Sequence, residues 1–349
     1  MNNLQINQLI IDENATVLSA MQMLDETGLK ILLIAPGYSL RAVITDSDIR
    51  RFILNGGELT APVKGAANYS PKYLGVEMRA KAKEFMVQNA IDALPLLNTK
   101  GQVDDIVFLA DLGVVGRQET DAPVVIMAGG LGTRLYPYTK ILPKPLIPVG
   151  ELPIVEHIMQ RFEKAGSGRF NLVVNYKKNM IKSYFSETEH PYNINFVEEE
   201  KPLGTGGGLY LLKDTIKETF FLTNCDILVE ADYSDIFEFH KEQGNLITVV
   251  CAFKNVTIPY GVIELDDNGG IKTVTEKPQM NFLTNTGMYV AEPRIIQELE
   301  ADVAVGFPDI MEKYRNVGEK VGVYPISENS WMDMGQLEEL EDMRRRLEL

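Results

Sequence analysis

The chain has 349 residues, too many for one ordinary domain and suited to two. It is 45 % hydrophobic and 24 % charged, the profile of a globular protein with material for two cores. A formal net charge of −15 argues against nucleic acid as a partner, since a phosphate backbone needs a clustered positive surface. A few local Lys and Arg still suffice for a small phosphorylated substrate. No apolar stretch approaches the ~20 residues of a membrane span. MNNLQINQLI lacks the basic region and apolar core of a signal peptide, so the cytoplasm is the expected compartment. Cys225 and Cys251 lie in apolar runs and read as reduced core residues, and the three histidines show no metal-ligand spacing.

In chain order, Val17, Ala20, Met21 and Leu24 keep one apolar face at helical spacing, with Thr16 placed to cap it. Strands are expected at Ile31 to Ile34 and Ala42 to Ile44, followed by TDSDIRRFI, a turn into a helix. A shift of 63 positions lays Leu33 on Leu96 and Asp48 on Asp111, inside the matching strand and helix start of a second, weaker copy. The repeat and its ITDSD turn resemble a tandem pair of cystathionine β-synthase-type (CBS) domains. That resemblance implies that Thr45 and Asp48 hold the ribose of a regulatory adenine nucleotide, and that the module self-associates into a homo-oligomer. Phe108 stands where the second copy would need its Thr, so one of the two sites is degraded. The alternative is a module that serves assembly only, with Thr45 and Asp48 capping a helix.

Polar RQETDA, 117–122, separates two apolar runs and sets the boundary between a module at 1–118 and a second domain at 123–349. Beyond it, apolar runs at Val124 to Met127, Leu172 to Asn175, Phe220 to Thr223, Thr248 to Ala252 and Met288 to Ala291 read as strands. Ile154, Ile158 and Phe162 share one helix face, and Leu337, Leu340 and Leu347 mark a final amphipathic helix. Strands alternating with helices imply an α/β fold, a mostly parallel Rossmann-like sheet with helices on both faces, preceded by the smaller α/β CBS-pair domain. In such folds ligands gather beyond the C-terminal ends of the strands.

Two neighbouring segments carry chemistry. VVIMAGGLGTR delivers Ala128, Gly129, Gly130 and Gly132 into a turn whose backbone N–H groups can approach a phosphate or base, and Arg134 adds a fork-shaped cation. The turn has neither the dinucleotide fingerprint G-x-G-x-x-G nor the Lys-Ser/Thr of a P-loop. Ten residues on, ILPKPLIPV holds Lys144 between Pro143 and Pro145, an unusually rigid and apolar setting for a lysine.

AGGLGTRL followed by LPKPLIPV resembles the signature of sugar-1-phosphate nucleotidyltransferases. EEEKPLGTGGG, TNCDIL, TEKP and WMDMG follow in the family's order, so the similarity runs from about Pro123 to about Gly335. The resemblance implies attack by a hexose-1-phosphate on the α-phosphorus of a nucleoside triphosphate, releasing pyrophosphate. The nucleophile is already an anion, so such a reaction calls for positioning, cations and metal rather than a general base. By the same resemblance, Arg134 holds the triphosphate and Lys144 neutralises the α-phosphate region. Asp226 and Asp333 bind Mg²⁺, a hard ion suited to carboxylate oxygens. Glu276 contacts sugar hydroxyls and Lys277 the sugar phosphate, with Gly261, Asn285 and Asn175 along the sugar pocket.

The family reads its base at Glu199, with Gly204 and Thr205 beside it. Uridylyl- and thymidylyltransferases resemble one another in carrying Gln where this chain has Glu199. An ionised carboxylate only accepts, which suits the adjacent N1–H and N2–H₂ donors of guanine and leaves one oxygen facing a carbonyl of uracil or thymine. The expected donor is therefore GTP, unless Glu199 turns outward with its neighbours. A CBS pair fused before a compact transferase looks like the bacterial glucosamine-1-phosphate guanylyltransferases of legionaminic acid synthesis. The alternatives are a thymidylyl- or uridylyltransferase acting on glucose-1-phosphate and, from another class, a non-catalytic nucleotide sensor. A sensor would have lost the phosphate and metal residues, whereas Arg134, Lys144, Asp226 and Asp333 are all present.

Overall fold

The computed structural model describes residues 6–89, 91–112 and 120–347. The start of the RQETDA stretch lies outside the described residues. The chain divides into two compact units, Met1–Arg117 and Gln118–Leu349.

In the first unit, helix α1 (Val17–Thr27) buries Val17, Ala20, Met21 and Leu24, the face its spacing predicts. Thr16 Oγ1 accepts from Ser19 N at 3.1 Å, and Gly28 ends the helix at φ 62°. Strands β1 (Ile31–Ile34) and β2 (Ala42–Thr45) pair antiparallel and lead into α2 (Asp46–Leu54). The second half repeats this order. After the short strand β3 (Leu74–Gly75) come α3 (Ala82–Asn89), β4 (Ala93–Leu97) and β5 (Val103–Phe108), with β4 and β5 antiparallel, then a tight turn at Ala110–Leu112. The helix expected after Asp111 lies outside the described residues.

The second unit is built on seven strands among the described residues, in the order β10-β9-β6-β11-β16-β13-β17. Their ranges are β6 (Val124–Met127), β9 (Arg169–Val174), β10 (Asn193–Glu198), β11 (Phe220–Asn224), β13 (Ile247–Thr257), β16 (Gln279–Ala291) and β17 (Val321–Ile326). A small ribbon of β7 (Pro148–Val149) and β8 (Leu152–Pro153) precedes the first long helix. Pairings β10/β9, β9/β6, β6/β11 and β13/β17 are parallel; only β16 runs antiparallel to both neighbours.

Alternation along buried β6 divides the core between two faces. Val124 and Ile126 pack against α4 (Ile154–Lys164) through Ile158 and Phe162, and their cluster takes in Ile236 of α6 (Tyr233–Gln243) and Leu340 of α8 (Leu337–Arg346). Val125 and Met127 face the other way, in the cluster of Leu209, Leu212 and the inner face of α7 (Phe307–Asn316). Helices thus cover both sides. A further helix, α5 (Lys178–Glu187), follows β9.

Two features depart from a plain α/β layer. Strands β13 and β16 run past the sheet as an exposed two-stranded arm, tipped by the hairpin of β14 (Gly261–Leu265) and β15 (Ile271–Glu276). Strand β12 (Ile227–Val229) leaves the main sheet to pair with β18 (Trp331–Asp333). No helix among the described residues is long and apolar enough to cross a membrane.

Candidate active site

Strands β10, β9, β6 and β11 run parallel and adjacent, so their C-terminal ends lie along one edge. The next residues are Glu199 after β10, Asn175 after β9, Ala128 after β6 and, two positions on, Asp226 after β11. Sheet order therefore places the glycine turn between a glutamate on one side and an aspartate on the other. This is the strand-end location at which ligands gather in open α/β sheets.

The turn is held by its backbone. Ala128 is buried and donates its N–H to Val173 O at 2.8 Å. Gly132 adopts φ 62°, and its carbonyl accepts from Thr139 Oγ1 at 2.8 Å. A Cβ on Gly132 would stand 2.8 Å from Thr139 Cγ2 and 3.3 Å from Lys144 Cβ, so the glycine lets the lysine stem pass close under the turn. Gly130 has open space where a side chain would be, and Arg134 is exposed on the following turn.

Lys144 is buried and ion-paired with Asp226. Burial alone would lower its ammonium. The Asp226 carboxylate, with Cys225 and Asp333 near, carries it above its ordinary value instead. Asp333 pairs in register with Ile227, and Met334 N donates to Asp226 O at 2.8 Å, so two aspartates more than a hundred residues apart meet across the β12/β18 ribbon. Burial first, then the charges of Asp226 and Glu339, push Asp333 up to about 6, against the pull of Lys144 and Arg134. Its Oδ1 is buried with no hydrogen-bond donor. A buried acceptor of that kind, beside a second carboxylate, fits a hard cation that prefers oxygen ligands. Among the described residues no group of three or more His, Cys, Asp or Glu forms a metal cage.

On the other side, the three glutamates separate. Glu198 turns out to Lys178 and Lys182 of α5, Glu200 is exposed, and Glu199 turns in, only 5 % exposed. A Cβ on Gly129 would stand 2.8 Å from Glu199 Oε2, and one on Gly208 would collide with Oε1. The carboxyl is thus wedged between two glycines, and Oε1 has no hydrogen-bond donor. Burial pushes it up to about 7, opposed only by the Leu203 N–H. Asn175 lies on this side as well: its Nδ2 donates to Glu199 O at 2.9 Å, and its Cβ is 3.2 Å from where a Gly129 Cβ would stand.

The structure gives Gly204 and Thr205 packing contacts. Gly204 adopts φ 77° with its Cβ direction 2.7 Å from Val305 O, and Thr205 Oγ1 accepts from Phe307 N at 3.1 Å at the start of α7. Asn285 donates to Tyr289 Oη at 2.8 Å and accepts from Gly287 N at 3.0 Å, and a Cβ on Gly287 would stand 2.5 Å from Nδ2 of Asn224, the last residue of β11. Gly261, Glu276 and Lys277 lie on the exposed arm. Gly261 pairs in register with Glu276, and Lys277 N donates to Tyr260 O at 3.3 Å, so their described contacts are within the arm.

Thr45 and Asp48 form a reciprocal capping box at the start of α2. Asp48 N donates to Thr45 Oγ1 at 3.3 Å, and Thr45 N and Oγ1 donate to Asp48 Oδ2 at 3.0 and 2.7 Å.

Two supports were missed from the sequence. Lys177, at φ 49°, donates to the carbonyls of Lys140 and Ile141 at 2.6 and 2.7 Å, and Tyr176 Oη donates to Thr139 O at 3.1 Å. Together they tie the turn leading to Lys144 to the end of β9. Gly208 was also missed; the last glycine of the GTGGG run was the only signal.

A glycine-turned strand end, a buried lysine–aspartate pair and an inward carboxylate thus share one edge of the sheet. Residues 123–348 match the model of the nucleotidyl transferase family, and the chain belongs to that family. It is 33 % identical over 226 residues to the mannose-1-phosphate guanyltransferase of Saccharomyces cerevisiae, a match covering 61 % of each chain, so it spans about three-fifths of that relative's length. In fold it is similar to HddC from Yersinia pseudotuberculosis, with a TM-score of 0.52 and 24 % identity over 65 % of this chain and 99 % of that one. The same protein complexed with GMP-PN gives a TM-score of 0.51 at 23 % identity, over 65 % and 99 % of the two chains.

Proposed function

We propose that this protein is a Mg²⁺-dependent guanylyltransferase that joins GTP to a hexose-1-phosphate. A phosphate oxygen of the sugar forms a bond to the α-phosphorus, the bond from that phosphorus to the bridging oxygen of the β-phosphate breaks, and pyrophosphate leaves. The observation that carries the reading is Glu199: a buried carboxylate, one oxygen without a donor, wedged between Gly129 and Gly208 beside the glycine turn. When ionised it can only accept, which suits the adjacent N1–H and N2–H₂ donors of guanine better than the single donor flanked by acceptors of uracil and thymine. The guanyltransferase name of the yeast relative supports the same base.

Asp226 and Asp333 would hold the metal, which when bound supplies positive charge to phosphate oxygens. Lys144, kept charged by Asp226, neutralises the α-phosphate region, and exposed Arg134 takes the β- and γ-phosphates. The backbone of Ala128 to Gly132 cradles the triphosphate, with Gly204 and Thr205 fixing the wall beyond Glu199. Asn285, with Gly261, Glu276 and Lys277 of the arm, lines the sugar side.

A panel of triphosphates against glucosamine-1-phosphate and mannose-1-phosphate, read by pyrophosphate release, tests both choices. GTP with one of these sugars should dominate; strong preference for dTTP or UTP would overturn the base assignment. Residues 1–118 are proposed as a CBS pair that assembles the oligomer and binds an adenine nucleotide near Thr45 and Asp48. Calorimetry of the full chain with ATP and AMP, its catalytic site filled with a GTP analogue, should give heat that Asp48→Ala removes. A heatless titration leaves assembly as the module's role.

A further inference from the structure

The carboxylate oxygens that the site leaves without donors single out one more residue. Glu339 lies in the first turn of α8 and is half-buried. Its Oε2 is buried and accepts no hydrogen bond, like Asp333 Oδ1. Both face the point where a Cβ on Gly335 would stand, 3.1 Å from Glu339 Oε2 and 3.2 Å from each Asp333 oxygen. Gly335 has no positive φ, so the backbone does not demand glycine there. Three carboxylate oxygens would nonetheless crowd a Cβ at this point.

Helix electrostatics do not account for this inward turn. A carboxylate in the first turn is favoured by the helix dipole, but exposed Glu338 already provides that from the solvent side. Glu339 instead points an unsatisfied oxygen toward a carboxylate equally unsatisfied. Where both are ionised, like charges held together in this way call for something positive or doubly donating between them. A hydrated divalent cation is both, because Mg²⁺ retains several waters whose hydrogens point outward.

Resting on the reading of Asp226 and Asp333 as metal ligands, we propose that Glu339 is a positioning residue for the hydrated Mg²⁺. It accepts hydrogen bonds from the ion's water shell on the Asp333 side and does not touch nucleotide or sugar. Partners of this outer kind orient the ligand set, and their loss typically weakens metal affinity about 10- to 100-fold. Gly335 belongs to the same device, since a side chain there would fill the space the water shell needs.

The test is Mn²⁺ binding, followed by electron paramagnetic resonance, to the full-length protein saturated with α,β-methylene-GTP, an analogue that cannot react. Wild type, Glu339→Ala, Glu339→Gln and Asp333→Asn are compared, with melting temperatures of the metal-free proteins measured alongside. Glu339→Ala should weaken Mn²⁺ binding about tenfold or more, and Glu339→Gln less, because the amide keeps one acceptor. Asp333→Asn should lose binding. Metal-free Glu339→Gln should melt no lower than wild type, since its N–H₂ can donate to Asp333. If both Glu339 variants bind Mn²⁺ within about threefold of wild type while Asp333→Asn does not bind, the role of Glu339 is overturned and the metal site stands. If the wild-type complex binds no Mn²⁺, both are overturned.

Discussion

Lowering the pH should erode the preference for GTP, because the proposed base reader titrates near neutrality. Burial pushes Glu199 up to about 7, and only the Leu203 N–H opposes it. From about pH 8 to about pH 6, the ionised fraction of such a group falls from roughly nine-tenths to one-tenth. Guanine needs the ionised form, so kcat/KM for GTP, which reports the free enzyme, should fall about tenfold over that interval. A protonated carboxyl has one donor and one acceptor, as an amide does, and pairs with uracil; kcat/KM for UTP should therefore rise. The GTP-to-UTP ratio, measured by pyrophosphate release with the same sugar phosphate and buffer, should drop by more than about tenfold. Taking the ratio cancels every titration common to both reactions, those of Asp333 and of the sugar phosphate included. Glu199→Gln should flatten the ratio with pH and shift it toward UTP. A ratio that is flat with pH in the wild type would refute the assignment of Glu199 to the base edge.

The same burial affects stability. The folded pKa of Glu199 lies above its ordinary value of 4.5, so the folded state binds the proton more tightly and is penalised once the group ionises. The penalty is absent below about pH 4.5, grows through the window up to about 7, and is fully present above it; Glu199→Gln should stabilise the ligand-free protein at pH 8 by up to about 3 kcal/mol and hardly at all at pH 4, as denaturant melts would show. Lys144→Ala should cost about 10²- to 10³-fold in kcat by removing a preorganised cation, and a loss under about tenfold in steady-state assays would contradict its role. Arg134→Ala should leave stability within about 0.5 kcal/mol, because the side chain is exposed, while raising KM for GTP severalfold. Gly132→Ala should destabilise by about 1–3 kcal/mol, since φ 62° and the 2.8 Å approach to Thr139 both oppose a Cβ; an unchanged melting temperature would show that the turn relaxes freely.

Most of the site was legible because an open parallel sheet puts the residues after its strands on one edge. Apolar runs ending at Met127, Asn175 and Thr223, each within one residue of the strand end, put Ala128, Asn175 and Asp226 at strand ends without any knowledge of packing, and sheet order brought them to one edge. The orientation of Glu199 was not legible. Three consecutive glutamates look alike in sequence, and what separates them is that α5 offers Lys178 and Lys182 to Glu198, while Gly129 and Gly208 leave a slot for Glu199. Glycine carries a similar ambiguity. Gly204, placed beside the base from the sequence, also packs against backbone that arrives a hundred residues later, the carbonyl of Val305. Glycine signals close approach but not what approaches.

That ambiguity has a functional consequence. Glu199 and Asp226 follow strands at opposite ends of the β10-β9-β6-β11 row, with the glycine turn after β6 between them. A nucleotide laid along this edge would meet base reader, phosphate cradle and paired cation in the order in which its own base, phosphates and reacting phosphorus occur. The sugar has no such row. Gly261, Glu276 and Lys277 belong to an arm whose strands have left the main sheet, so their placement depends on the long hairpin rather than on a shared strand edge. The difference predicts that substitutions in the arm alter KM for the sugar phosphate while leaving GTP affinity intact. Glu276→Ala tested by product inhibition and by nucleotide titration would separate the two, and a matching loss of GTP affinity would show that the arm and the strand edge form one surface.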